Sequence, residues 1–593
     1  MGRVLRHFAR ALFLGAISNV AFAYVPTLSS NGAQVHWNSP VKFNLAGNSS
    51  NQSGIQSSDF YNAVVTGLQR WKTASGGSVN FDYWQGTDPS VYMPNSSYNG
   101  ESSIYFASNT SGGADNRLTP SILGLTQVWY DTNTGQILES DTVLNDKDFN
   151  FTMNPKDTSG YGSGSTSFSN GKPNVYIENV ITHEFGHALG LAHSGGMQST
   201  MLFMESPEQA HLGCDEQIAI RALYPAGDVG SRGVLRGTVL SQSGNPVFGA
   251  HVEAISRRRG TVLASALTNQ SGQYSISALE PGDYFILAEP FLAGAQALPA
   301  YYSSIQDDVC PNGHSFGRTL LVDSGGNQPL WMSVGSGGNI TQAPPLTVQC
   351  SGTNGAAIAD DASASSASTA PQIYDGTSGT KLNGFGMSDR FTGSNTKYYL
   401  LHALSGHVEI HALSYSLYSP IHPALSLLDS NGNPVSGQSV DKVYTGDSGY
   451  VNYDSAFIAD GLPSGDYYIQ VTATSLNVTL YPAGPILLDT APFLVITGSV
   501  NEPSPALAGT LPFNARCRMD ENFAPYSSPP GNPPIASQGG QNGGKVGFCG
   551  SLSTTDRNSD SSQGPPLSAV IGWLLPWFAM AAVARLARFV RAS

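Results

Sequence analysis

The sequence predicts a multidomain chain with an α+β unit over residues 24–225. Two all-β sandwiches follow at 234–340 and 375–495, and a C-terminal membrane helix at 567–584. Three observations predict this. A helical pattern around His183-Glu184-Phe185-Gly186-His187 sits among strand-like runs in the first third of the chain. Short alternating runs bounded by turn residues recur between about 234 and 495. Near the end, Leu567 to Ala584 is an 18-residue run without charge, followed by Arg585, Arg588 and Arg591.

Taken in order, Arg3, Arg6 and Arg10 precede the mostly apolar stretch Ala11 to Ala21, and Ala21-Phe22-Ala23 has the form of an A-x-A cleavage site. Residues 1–23 therefore read as a secretory signal peptide, too short in its apolar part for a spanning helix. In the α+β unit, Ser58 is placed to cap a helix that buries Phe60, Val64, Leu68 and Trp71, with Gly76 closing it. Val79 to Tyr83, Ser103 to Ala107 and Leu123 to Tyr130 are strand candidates. So is Gln136 to Asn145, which follows the turn Asp131 to Gly135. Asn174 is placed to cap the next helix, whose buried side would carry Val180, Ile181, Phe185, Ala188 and Leu189.

That helix carries the chemistry. Residues 183–193 read H-E-x-x-H-x-x-G-x-x-H. Positions i and i+4 share one helix face, so His183 and His187 can offer imidazole nitrogens to one ion. Gly190 can adopt a left-handed conformation that ends the helix and returns His193 as third ligand. Three protein ligands leave a fourth position open, the pattern of a catalytic zinc site, and Glu184 is placed to act as its general base. Histidine is rare here, 12 of 593 residues, so three at these offsets arise by chance roughly once in a hundred thousand starting positions. An ordinary amphipathic core helix is thereby a poor explanation. Met201, eight residues past His193 within Ser199 to Phe203, has the spacing of a methionine turn beneath the three rings.

On these residues the segment His183 to Tyr224 resembles the matrixins, a branch of the metzincin zinc proteases. Ser194 directly after the third histidine, the distance to Met201, and Asp215 to Tyr224 as a closing helix carry the resemblance. It implies a zincin-like fold and a zinc endopeptidase with His183, His187 and His193 as ligands and Glu184 as base. By the same analogy, Leu123 to Val128 is the edge strand above the cleft, where an extended peptide adds as a further strand. Phe203 to Cys214 would line the pocket for the residue after the scissile bond. Two departures stand out. No cysteine precedes Cys214, so the pro-segment thiolate that keeps animal matrixins latent has no counterpart, and no histidine-rich loop for a second zinc is found. Ca2+ is compatible with acidic turns such as Asp131 to Gly135, although a plain hairpin turn is the favoured reading of that composition.

Beyond Pro225, Gly237-Thr238-Val239, Val252 to Ile255, Gly272 to Ile276 and Gly282 to Leu287 are short, regularly spaced strands. Their succession resembles the carboxypeptidase regulatory-like domain, which implies no chemistry of its own and leaves spacer and substrate-positioning roles open. Cys310 and Cys350 bracket its end and are placed to form a disulfide in an oxidising compartment, though five cysteines cannot all pair within the chain. Residues 351–374, rich in Ala, Ser, Asp and Gly, read as a linker. In 375–495, the turn Leu427 to Pro434 and the run Gly465 to Val471 are similar to the pre-peptidase C-terminal β-sandwich of secreted bacterial peptidases. Residues 496–566, heavy in Pro, Gly, Ser and Asn, read as low-complexity linker. The apolar run and its basic end, preceded by Phe548 to Ser551, resemble a bacterial sorting signal, with a permanent anchor as the other reading.

The function expected is an extracytoplasmic Zn2+-dependent endopeptidase, secreted or held at the surface of a Gram-negative bacterium. Its partners would be protein or peptide substrates and the bacterial membrane or a sorting enzyme. A net charge of −14 with 12 % charged residues excludes nucleic acid as the natural partner. The alternative is a surface adhesion or carbohydrate-binding protein whose β modules act while the metzincin unit is a non-proteolytic scaffold.

Overall fold

The computed structural model describes most of residues 24–350, then 362–377, 385–390, 396–414, 423–441, 455–473, 492–500 and 548–555. The expected fold class is corrected on two counts. The described residues are mostly β-sheet, with three α-helices that all lie before residue 224. Among them no helix is long and apolar enough to cross a membrane. The 567–584 run, like the 1–23 segment, lies outside the described residues. Hydropathy and charge report only that such a run is long and apolar enough, not that it forms a helix. The helical motif also weighed heavily in the sequence because its chemistry is concentrated there, whereas most of the chain length lies in strands.

The first unit is built on β1 (Val41–Ala46), α1 (Ser57–Ala74), β2 (Phe81–Gly86), β3 (Ser103–Phe106), β4 (Ile122–Tyr130) and β5 (Ile137–Leu144). The short strands β6 (Asn150–Thr152) and β7 (Asn174–Tyr176) lead into α2 (Ile177–Ala188), and α3 (Cys214–Leu223) closes the unit. The main sheet has the order β2-β1-β3-β5-β4, with β4 antiparallel to β5 and the other pairs parallel. Helix α1 buries Phe60, Val64, Leu68 and Trp71 as its periodicity predicts. Ser58 does not cap it: Gln56 holds that place without a side-chain bond. Asn174 does not cap α2 either, because it lies in β7, pairs with β6 and accepts a bond from Asn150 at 2.7 Å. Both helices draw their stability from packing instead. Gly67 lets α1 approach α2, since a Cβ there would stand 3.1 Å from Ile181 Cγ2, and Trp71 Nε1 donates to Thr182 O at 2.9 Å.

Helix α2 ends at Gly190, where φ is +98° and the chain reverses. Its N–H bonds His187 O at 2.9 Å, and a Cβ on it would stand 2.1 Å from Val35 O. Both the left-handed backbone and the close approach require glycine. Gly190→Ala is expected to cost about 2–4 kcal/mol, from the left-handed penalty plus overpacking. Urea unfolding reads this directly, and an unchanged midpoint would refute the account of this turn.

The second module is a two-sheet sandwich. Its strands are β8 (Gly233–Leu240), β9 (Ala250–Ser256), β10 (Thr261–Leu267), β11 (Gln273–Leu279), β12 (Gly282–Pro290), β13 (Thr319–Leu320), β14 (Trp331–Val334), β15 (Ile340–Gln342) and β16 (Leu346–Thr347). One sheet runs β10-β9-β12-β13 with β14 on β12; the other runs β11-β8-β15 with β16 on β8. A disulfide joins Cys310 and Cys350. Helix α3 packs against β10 and β11, so the first unit and this sandwich share a continuous apolar core.

The third module comprises β17 (Gln372–Asp375), β18 (Phe385–Arg390), β19 (Thr396–Leu413), β20 (Pro423–Leu428), β21 (Gln438–Asp441), β22 (Ser455–Ala473) and β23 (Pro492–Val500). Among the described residues its strands join in one seven-stranded ladder. Strands β19 and β22, 18 and 19 residues long, pair along most of their length with register shifts between Leu401 and Val408. Bulges of this kind bend a strand while the ladder continues, so one sheet spans what the sequence pattern divides into several shorter strands. Finally β24 (Phe548–Thr555), inside the stretch expected to be linker, adds in parallel to the outer edge of β4.

Candidate metal centre

The three histidines of the motif converge. His183 Nε2 lies 3.1 Å from His187 Nε2 and 3.2 Å from His193 Nε2, and the last two are 3.2 Å apart. His183 Nδ1 donates to Thr200 O at 2.7 Å and His187 Nδ1 to Leu191 O at 2.8 Å. With Nδ1 carrying the proton, each of these two rings turns a lone pair on Nε2 toward the others. Ligands bonded to one zinc at about 2.0–2.1 Å in tetrahedral geometry lie roughly 3.2–3.4 Å apart, which the observed spacing approaches. All three rings are buried. Burial, reinforced by neighbouring His187, holds the His183 imidazole well below its usual pKa, and burial brings His187 down to about 4. These two rings are therefore neutral at physiological pH, the form that ligates a metal. The residues present fit a zinc ion.

Glu184 is buried beside them, and Thr126 Oγ1 lies 2.7 Å from its Oε2. A Cβ on Gly124 would stand 2.8 Å from Glu184 Oε1, so only glycine lets β4 pass this close to the carboxylate. The motif does not reveal Thr126 or Gly124. The available signal was the lone glycine inside the strand pattern Ile122 to Tyr130, which marks a close approach.

Met201 lies under the site. A Cβ on Gly186 of α2 would stand 2.2 Å from Met201 Sδ, so the sulfur packs directly on the helix backbone. The turn is tied to α3: Glu216 accepts from Met201 N–H at 2.9 Å and from Ser199 Oγ. Ser194 N–H donates to Met201 O at 2.9 Å, closing the loop that begins after His193. Of the expected pocket wall 203–214, residues 204–208 lie outside the described residues. At the turn considered for calcium, Asp131 Oδ1 accepts from the N–H groups of Asn133 and Thr134 at 2.9 and 2.8 Å. Those bonds hold its carboxyl below the usual range and account for the aspartate as a turn residue.

A model of the matrixin family matches residues 7–225, and one of the carboxypeptidase regulatory-like domain matches 234–291. The first match supports a metallopeptidase-type function in general, and with it zinc. A search of curated proteins finds no match. Similar solved structures include BcpA, the major pilin subunit of Bacillus cereus, at 10 % identity, 41 % of this chain, 58 % of that chain and a TM-score of 0.12. Another is the major pilin SpaD from Corynebacterium diphtheriae, at 7 % identity, 42 % of this chain, 59 % of that chain and a TM-score of 0.12. The chain thus spans less than two thirds of either pilin, and superposition this poor carries no argument about fold or activity.

Proposed function

We propose that the chain is a zinc-dependent endopeptidase acting outside the cytoplasm, with His183, His187 and His193 holding the metal and Glu184 as general base. The observation that carries this is the convergence of three Nε2 atoms within 3.2 Å beside a buried carboxylate. A zinc held there supplies Lewis acidity to the attacking water and to the scissile carbonyl. Glu184 takes the proton of the attacking water at its carboxylate and hands it to the departing amine. Thr126, by its bond to Oε2, keeps that carboxylate in one orientation through both transfers. Gly124 leaves room for it beside β4. An extended substrate would pair with the outer edge of β4, which fits many sequences because main-chain groups do the binding. The Cys310–Cys350 disulfide supports an oxidising, extracytoplasmic setting.

Casein or gelatin zymography of the full chain tests the reading. Lysis should vanish with a chelator and return with added zinc. Lysis indifferent to the chelator, or none under any metal condition, sinks it. In this structure β24 occupies the same edge of β4 and packs against α2. On this reading substrate and β24 compete for one place.

A further inference from the structure

His183 and His187 are fixed by the helix that bears them, whereas His193 follows the turn at Gly190. Its neighbours are anchored on the second module. Ala192 is buried in a cluster with Leu267 and Tyr302 of that module and with Val25 and Leu28 of the N-terminal segment. On the other side, Ser194 Oγ donates to Asp215 Oδ2 at 2.8 Å and lies 3.4 Å from Ser265 Oγ. Asp215 stands in the first turn of α3, and its Oδ1 accepts the main-chain N–H of Ser265 on β10 at 2.7 Å. Gly195 backs onto the ring of His251 on β9, where a Cβ would stand 3.1 Å from both Cε1 and Nδ1.

That ring is itself held. His251 Nδ1 lies 3.1 Å from Glu289 Oε1, and Arg318 Nε donates to Glu289 Oε2 at 2.8 Å. All seven residues of β9 are buried, although alternate ones should face water in a free-standing sandwich. Its outward side chains His251 and Glu253 are covered, so charged groups lie in an interface where desolvation demands good pairing. His251, Glu253 and Glu289 also bring ligand-type atoms within 4.8 Å of one another, the chemistry of a second metal centre. Yet Arg318 already supplies the positive charge that a cation would bring. Burial, with the charge of Glu289, pushes the Glu253 carboxyl up to about 8, leaving it uncharged at neutral pH. Glu289 is thus paired with Arg318 without an ion, and its other oxygen holds the ring of His251.

We infer that the carboxypeptidase-regulatory-like module positions the third histidine, with Ser265 and His251 as positioning residues that clamp the segment 192–195. This rests on the reading of His193 as a metal ligand. It makes the module part of the metal centre, in place of a spacer. A ligand borne on a loop loses its placement first when its support is removed, and outer supports of metal ligands are typically worth about 10–100-fold in affinity.

The test uses the full chain and reads zinc affinity by competition with a chromogenic chelator, alongside the thermal midpoint of the metal-free protein. Gly195→Ala sets a methyl group against the His251 ring and should weaken zinc binding by about 10–100-fold. His251→Ala, which takes away the ring that backs Gly195, should weaken zinc binding by a comparable factor. A merely structural role would lower the metal-free midpoint in both proteins and leave zinc affinity near wild type. Should Gly195→Ala not fold, Asp215→Ala, which removes the bonds that Asp215 makes to Ser194 and Ser265, is read the same way and is expected to weaken zinc comparably. Wild-type affinity in the folded variants overturns the clamp. A wild-type chain that binds no stoichiometric zinc overturns the site reading itself, and the clamp with it.

Discussion

Glu184→Gln is expected to lower kcat/KM by about 10²–10⁴-fold, the usual worth of a positioned general acid–base group. Glutamine has the same size, so it fits the gap left by Gly124 and can still accept the Thr126 hydroxyl bond through its amide oxygen. What it cannot do is take a proton from water and return it to an amine. His183 and His187 keep their Nδ1 partners, so zinc stoichiometry should stay near wild type. Fluorogenic peptide hydrolysis and elemental analysis of the same preparation separate the two quantities. A glutamine variant with full peptidase activity removes Glu184 from the mechanism. One that loses its zinc shows the carboxylate to be supporting the ligands.

Freeing the β4 edge should raise kcat/KM by roughly tenfold or more. Residues 548–555 pair with Ile122 to Tyr130 along nearly the whole strand, from Phe548 opposite Ile122 to Thr555 opposite Tyr130. A tethered segment competes at an effective concentration in the millimolar range, so even a weakly pairing strand with a dissociation constant of about 0.1 mM would hold the edge most of the time. Successive N–H groups of a strand point to opposite sides, so the pair Ser551→Pro and Leu552→Pro removes one donor on the β4 side whichever parity applies. Both residues lie far from the metal ligands in sequence, and neither belongs to the proposed machinery. Peptidase rate and amide exchange of residues 122–130 should rise together. If exchange rises while the rate stays constant, β24 does not block substrate. If neither changes, the edge is held by something other than these pairings.

Much of the metal centre was legible in the sequence because its geometry is local. Helix pitch alone sets His183 and His187 on one face, and Gly190 had to be where the chain turns back, since its φ of +98° excludes other residues. Met201 followed from spacing. The start of α1 was less legible because Ser58 looks like a cap by type, while the helix begins at Ser57 with Gln56 before it. Asn174 misled for the same reason: its neighbours pair as β7 before the helix starts.

Thr126, Gly124 and the clamp on His193 were not legible, since each depends on which distant strand passes beside which loop. The same holds for β24, half of whose residues are Ser or Thr and which resembles the linker around it until a free sheet edge offers main-chain partners. The membrane-helix expectation falls on residues outside those described, where hydropathy alone measures the run in isolation.

By itself the sequence determined the candidate ligand set, the carboxylate proposed as base and the turn beneath them, all within 19 residues from His183 to Met201. Short-range backbone geometry leaves such a motif few alternatives. Only the tertiary structure decided what surrounds it: β4 carrying Thr126 to Glu184, β9 and β10 gripping the residues beside His193, and β24 along the cleft edge. Those contacts join residues tens to hundreds of positions apart. Their partners are chosen by burial and by main-chain hydrogen bonds, and neither leaves a spacing in the sequence from which the pair could be read.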